Sequence, residues 1–202
     1  MTSKHDPMTD PKKPINGHPS SANRFGSAAR PIERGDLLGA ATVWCASFLL
    51  YVRTLAPTVT GEDSGELIAA AYTLGIPHPP GYPLWCLLAK LFTFIPVGDI
   101  AYRCNLMSAF FGALCCSLVF FISSYVTGQR LPAATAALVF AASREFWSQC
   151  VIAEVYSLTL FFALAVLYLV ILWRDRRDER LLKTAALLFG FGLTPGTASG
   201  SM

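Results

Sequence analysis

The residues best suited to chemistry are concentrated in one stretch, Gly61–Pro83 (GEDSGELIAAAYTLGIPHPPGYP). It opens with three carboxylates: Glu62, Asp63 and Glu66. It closes with His78 and Tyr82 in a turn made rigid by adjacent prolines. Asp63 and Glu66 also have the spacing of a capping box at a helix start, a purely structural role. We favour a catalytic role because a cap needs two carboxylates, not three, and a capped carboxylate still remains ionised and well aimed.

The composition of the chain indicates where this stretch lies. Hydrophobic residues make up 53% of the 202 positions and charged residues only 14%, whereas a soluble domain carries about a quarter charged residues. Uncharged runs such as Asn105–Gly128 are long enough to cross the ~30 Å hydrocarbon core. We therefore predict an all-α fold, a polytopic membrane helix bundle. No basic patch interleaves with aromatic residues, so nucleic acid is not an expected partner. The six cysteines form no CxxC pair, which indicates neither a disulfide framework nor a metal site.

Hydropathy divides the chain into three predicted regions. Residues 1–36 are polar and rich in Pro, Ser and charge, which predicts a disordered cytosolic tail. Residues 37–193 form the predicted membrane domain, and residues 194–202 a second unstructured tail. The predicted spans are 37–53, 105–127, 132–147, 157–173 and 184–193, the last of them marginal in length.

The segment 83–95 decides the topology. It has only 13 residues and carries Lys90 near its middle, which favours an interfacial or re-entrant helix over a span. If it does not cross, the basic cluster 174–183 is cytosolic, as the positive-inside rule requires, together with the N-terminus. Residues 54–103 then form one luminal loop with an amphipathic helix over 64–74 and the interfacial helix over 83–95. The acidic stretch and Glu154 face the same compartment in this topology.

The sequence LAPTVTGEDSGELIAAAYTLGIPHPPGYPLWCLLAKLF resembles the opening of the transmembrane protein 260 family of protein O-mannosyltransferases. The later segments IAYRCNL (Ile100–Leu106), AEVYSL (Ala153–Leu158) and FGFGL (Phe189–Leu193) follow in the expected order. HPPGYP with an upstream EDSGE is fairly specific, because Pro-dense motifs at a fixed spacing seldom recur by chance.

This resemblance implies the N-terminal part of a GT-C glycosyltransferase fold in the endoplasmic reticulum membrane. It implies that Asp63 is the catalytic acid of the first luminal loop, with Glu62 and Glu66 beside it, and that Glu154 is a second acid. His78 is implied as a contact for the donor's lipid phosphate, with Arg103 and Tyr82 as further candidates. The implied donor is dolichyl-phosphate mannose and the implied acceptors are Ser or Thr residues of secretory-pathway receptors. Such an inverting transfer needs no metal or other cofactor.

Structural interpretations of the same residues remain open at this point. His78 could be a solvated turn residue, and Arg103 could be an anchor whose charged end reaches the interface. Glu154 could be solvated at the end of a span. Tyr82 and Trp85 could belong to an interfacial aromatic belt.

The C-terminus departs from the family pattern. After Leu193 the family continues with a polar segment and more helices, whereas this chain ends in TPGTASGSM. We therefore expect a truncated form. The alternative to a transferase is a non-catalytic membrane fragment with an interaction or regulatory role. A transporter is a weaker third possibility, because no charge lies in the middle of the three clearest spans.

Overall fold

The computed structural model describes residues 31–193, so the two predicted tails lie almost wholly outside the described residues. This part of the chain forms eight helices and no strand, which confirms the predicted all-α membrane bundle. The helices are α1 (Arg34–Arg53), α2 (Ser64–Thr73), α3 (Pro83–Phe92), α4 (Ile100–Thr127), α5 (Arg130–Ala141), α6 (Arg144–Cys150), α7 (Tyr156–Arg176) and α8 (Glu179–Leu193).

Helix α4 is the centre of the bundle. Its 28 residues are uncharged beyond the first turn and pack against α1, α5 and α7. The Asp99 carboxylate caps its first turn by accepting a hydrogen bond from the backbone N–H of Tyr102 at 2.7 Å. Gly128 ends it in the left-handed region, at φ 70°, where glycine meets no steric penalty. Three helices, α1, α4 and α7, are long and apolar enough to cross a membrane.

The remaining helices are shorter than a full crossing. The segment 132–147, predicted as one span, is divided between α5 and α6 by a break at Ala142–Ser143. The 12 residues of α5 extend about 18 Å, less than the ~30 Å of hydrocarbon. Helix α3 ends at Phe92, three residues before the predicted boundary. Helix α8 begins at Glu179, five residues before its predicted span.

Polar contacts define the two ends of the bundle. At one end the Arg130 guanidinium donates to the Asp36 carboxylate at 2.7 Å, and the Tyr125 hydroxyl donates to Asp175 at 2.8 Å. At the opposite end the N–H of Ala56 donates to the carbonyl of Val151 at 3.0 Å. The loop after α1 therefore lies against the loop before α7, and these two loops carry the predicted acidic residues.

Helices α2 and α3 lie at that second end and pack onto α4 and α7. Their shared core contains Leu67, Trp85, Met107 and Leu158, all fully buried. The Lys90 ammonium, which a spanning helix would bury at high cost, instead donates to a backbone carbonyl at the end of α2. The polar contact of Lys90 therefore joins the two short helices and fixes the surface on which the site is built.

Candidate active site at the acidic end of the bundle

Asp63 and Glu66 do not form the capping box that their spacing allows. Asp63 occupies the N-cap position of α2, but its side chain makes no capping hydrogen bond and remains 61% exposed. Glu66 turns instead toward the Pro-rich turn. The interpretation of these two carboxylates as a capping box is therefore wrong.

His78 is the group that orients Glu66. One oxygen of Glu66 accepts the backbone N–H of His78 at 2.7 Å, and the other lies 3.0 Å from Nδ1 of the ring. These two contacts, the ring contact first, lower the pKa of Glu66. Nε2 on the far side of the ring lies 3.3 Å from the Tyr82 hydroxyl and 3.8 Å from the Asp63 carboxylate.

The turn after His78 fixes this ring. The Pro79–Pro80 bond is cis, Gly81 has φ 90°, and the N–H of Gly81 donates to the carbonyl of His78 at 2.9 Å. Tyr82 also has positive φ, 41°, and precedes Pro83 at the first position of α3. This backbone folds the Tyr82 ring back edge-on against His78, with centroids 5.3 Å apart.

Glu154 is buried beneath these groups. Only 4% of the Glu154 residue is exposed. The interpretation of Glu154 as a solvated residue at the end of a span is therefore wrong. Burial and then the charges of Glu62 and Asp63 raise the pKa of Glu154 from 4.5 to about 7. The Asp63, Glu154 and Glu66 charges also act on Tyr82, whose pKa is raised, chiefly by burial.

Three helices hold the backbone that carries Glu154. Ser64 of α2 donates to the carbonyl of Ala153 at 3.1 Å, and the indole N–H of Trp85 of α3 donates to the carbonyl of Glu154 at 3.1 Å. Ser108 of α4 lies 3.4 Å from both the N–H and the carbonyl of Glu154. We call these three side chains the α2–α3–α4 clamp.

The sequence did not point to the clamp. Trp85 was considered as an interfacial aromatic, yet it is fully buried and hydrogen-bonded. Two serines inside apolar segments have no distinguishing signal. Trp85 is the one member of the clamp that the sequence could have indicated. It lies on a short helix beside the proposed active loop, and a buried indole N–H needs an acceptor.

Arg103 lies apart from the acidic cluster. Its guanidinium donates three hydrogen bonds to backbone carbonyls of the α3–α4 connection, those of Thr93, Val97 and Gly98. It also lines an open cavity of about 670 Å³ on the other side of α2. Arg103 is thus held in the connection between α3 and α4, with part of its five-donor capacity remaining.

The structure therefore assembles most of the predicted site. It brings together Glu62, Asp63, Glu66, His78, Tyr82 and Glu154. Carboxylates with different environments serve different roles in acid–base chemistry. Here Asp63 is open to solvent, Glu66 is committed to His78, and Glu154 is buried beneath them.

Comparison with known proteins gives this arrangement a family. The profile described as "Protein O-mannosyl-transferase TMEM260 N-terminal domain" matches residues 63–198. A mouse protein named Protein O-mannosyl-transferase TMEM260 is 42% identical over 137 residues, which are 67% of this chain and 20% of that protein. A Dictyostelium discoideum protein of the same name is 30% identical over 125 residues, 60% of this chain and 15% of that protein.

The chain thus spans a fifth or less of the length of these relatives, and no solved structure matches it. The matched region includes Asp63, His78 and Glu154 and therefore the whole acidic cluster from Asp63 onward. The resemblance read from the EDSGE and HPPGYP motifs is confirmed. This chain belongs to the protein O-mannosyltransferase TMEM260 N-terminal domain family.

Proposed function

We propose that this chain provides the acidic loop of a protein O-mannosyltransferase that transfers mannose from dolichyl-phosphate mannose to Ser or Thr hydroxyls. The observation that carries this proposal is the position of Asp63. It is an exposed carboxylate with no hydrogen bond from its own helix, beside a fixed histidine and above a buried second acid. The membership in a family whose relatives bear the transferase name supports the same reaction.

In the proposed reaction Asp63 accepts the proton of the acceptor hydroxyl as the oxygen attacks the anomeric carbon. A general base needs hydrogen-bond reach to the acceptor hydroxyl, and this requires an accessible side chain. Asp63, at 61% exposure, meets this requirement, whereas Glu66 is occupied by His78. Attack from the face opposite the phosphate inverts the anomeric centre.

The leaving group is a lipid phosphate, whose developing charge needs nearby donors. The Tyr82 hydroxyl beside His78 is the donor proposed for this charge, and the raised pKa of Tyr82 keeps its hydroxyl protonated. Arg103 is the nearest further candidate, through the N–H groups that its three carbonyl contacts leave. We assign the positioning of the acceptor, rather than the attack itself, to Glu154, because it is buried.

This proposal includes an orientation. Acidic loops 54–99 and 151–155 lie at one end of the bundle and the Asp36–Arg130 pair at the other. A GT-C transferase of the endoplasmic reticulum places its acidic end in the lumen, which puts the N-terminus in the cytosol, in agreement with the distribution of basic residues. The proposed acceptors are extracellular domains of receptors passing through that lumen.

The test replaces the matched segment of the mouse relative with residues 63–193 of this chain, in cells lacking that relative. Mannose on Ser or Thr of a secreted receptor domain is measured by mass spectrometry. We expect the chimera to restore mannosylation and Asp63→Asn to lower it about 100-fold or more. Glu145→Gln, an exposed acid on α6, is the matched control.

Equal mannosylation by the chimera and its Asp63→Asn form would refute the assignment of the base. A chimera that inserts correctly but transfers nothing, with or without the substitution, would favour the non-catalytic alternative. The 202-residue chain expressed alone in the same cells measures how much of the reaction it performs without the rest of the relative.

A further inference from the structure

The hydrogen bonds around His78 determine which ring nitrogen carries the proton. The Glu66 carboxylate, kept ionised by these contacts, can only accept, so the Nδ1 that it contacts at 3.0 Å must be an N–H. In the neutral ring Nε2 is then an acceptor, and it receives the Tyr82 hydroxyl at 3.3 Å. The Glu66 contact therefore requires the neutral tautomer with the lone pair on Nε2, and the Tyr82 hydroxyl is compatible with this tautomer because it can donate.

The lone pair faces the proposed base. Nε2 lies 3.8 Å from Oδ2 of Asp63, too long for a hydrogen bond but within one small side-chain rotation. His78 is 35% exposed at its side chain and Asp63 61%, so water and substrate reach both. An acceptor nitrogen thus lies next to the carboxylate that would become protonated in each turnover.

We propose that His78 takes the proton from Asp63 after each transfer, and that Glu66 is a positioning residue that fixes the His78 tautomer. This inference rests on the proposed function. The O–H bond of the acceptor breaks and its proton passes to Asp63. At the same time the acceptor oxygen forms a bond to the anomeric carbon, and the phosphate leaves with the electron pair of its own bond to that carbon. The proton then moves from Oδ2 of Asp63 to Nε2 of His78, which restores the Asp63 carboxylate. The imidazolium releases the proton to water.

The neighbouring groups favour this transfer. An imidazolium at His78 would lie between two carboxylates, with Glu66 at Nδ1 and Asp63 at Nε2. The new N–H at Nε2 would then be the donor where the Tyr82 hydroxyl donated before. The Tyr82 hydroxyl is thereby released from the ring until His78 returns to its neutral form. The other titratable groups whose charges reach this cluster from adjacent elements are Glu62, Glu154 and Tyr156.

The tautomer can be measured on the chain itself, without activity. The chain contains three histidines, His5, His18 and His78, so ¹⁵N spectra of the ring nitrogens in lipid nanodiscs are simple to assign. We expect neutral His78 to be protonated on Nδ1. Glu66→Ala, which removes the acceptor for Nδ1–H, should return it to the Nε2–H form that predominates in water, while Glu145→Ala should leave it unchanged.

An Nε2–H form of His78 in the unsubstituted chain would overturn the inference, and this result does not depend on whether a variant folds. An unchanged Nδ1–H form in Glu66→Ala would overturn the positioning role of Glu66. Loss of the Nδ1–H form in Glu66→Ala but not in Glu145→Ala would support it.

The kinetics of the chimera described above test the transfer step. His78 and Glu66 act on the proton after the attack and not on binding of the acceptor. His78→Gln should therefore lower kcat about 10-fold or more with little change in KM for the acceptor, and Glu66→Ala should lower kcat in the same way.

A change confined to KM, with kcat unchanged, would show that the two residues act only in binding or packing and would overturn the inference. An inactive unsubstituted chimera would refute the transferase function and, with it, the place of His78 in that reaction. The nanodisc spectra would still show whether the ring is held as a base, so the two failures are distinguishable.

Discussion

Glu154 allows the effect of burial at the acidic end to be measured as a free energy of unfolding. The Glu154 residue is 4% exposed, and its pKa is raised from 4.5 to about 7, first by burial and then by Glu62 and Asp63. At about 1.4 kcal/mol per tenfold change in a protonation equilibrium, this rise corresponds to about 3 kcal/mol. Glu154→Gln keeps the shape of the neutral carboxyl and cannot ionise.

The direction in which stability changes with pH depends on whether the Glu154 carboxyl ionises first in the folded or in the unfolded chain. Below pH 4.5 the carboxyl is protonated in both the folded and the unfolded chain, so its full contribution to stability is present. Between pH 4.5 and about 7 the unfolded chain ionises while the folded chain resists. Stability is therefore lost as pH rises, and most of the ~3 kcal/mol is gone by neutral pH.

Unfolding of the chain in detergent micelles, followed by tryptophan fluorescence during titration with a denaturing detergent, measures this difference. We expect Glu154→Gln to match the unsubstituted chain near pH 4.5 and to exceed it by up to about 3 kcal/mol at pH 8. Glu145→Gln, the exposed control, should follow the unsubstituted chain throughout. Equal pH dependence in the unsubstituted chain and Glu154→Gln would refute the reasoning, because it would mean that the folded state does not resist ionisation of Glu154.

Two further substitutions test packing and the clamp in the same assay. Trp85→Phe keeps a buried ring but leaves the Glu154 carbonyl without its indole donor, so we expect the free energy of unfolding to fall by about 1–3 kcal/mol. The control Trp173→Phe should lower it less. Similar losses in both variants would argue against the clamp. Gly112→Ala places a methyl group against the buried Cys150 sulfur, so we expect a loss of about 1–3 kcal/mol. Gly190→Ala meets nothing within 4 Å and should be neutral. A neutral Gly112→Ala would contradict the close approach of α4 and α6.

Apolar run length and charge placement were enough to predict the helices that form the bundle. The uncharged run after Asn105 became α4, and its first turn was missed only because Ile100–Cys104 contains charge. The same charge rule placed Asp63 and Glu154 in one compartment, and the structure brings them together. Such rules succeed because they depend on composition and not on the detailed packing of side chains.

The partners of individual side chains could not be predicted in this way. The Glu66 carboxylate could have accepted hydrogen bonds from the free N–H groups at the start of α2 or from the two donors of His78, which lies 12 positions later. Its choice depends on the turn after His78, which local spacing does not reveal. The burial of Glu154 likewise depends on Trp85 and on α4, so a residue at the end of a predicted span gave no sign of it.

The α2–α3–α4 clamp has a consequence for the order of events in biosynthesis. Ala153, whose carbonyl Ser64 holds, is made 89 residues after Ser64 itself. At about 5–20 residues per second, the Ser64 hydroxyl waits roughly 5 to 20 s for the carbonyl that it binds. The site is thus complete only when the loop before α7 has bound to helices α2, α3 and α4, which are synthesised earlier. A delay in membrane insertion of α7 leaves the two acids apart, however well the first loop has folded.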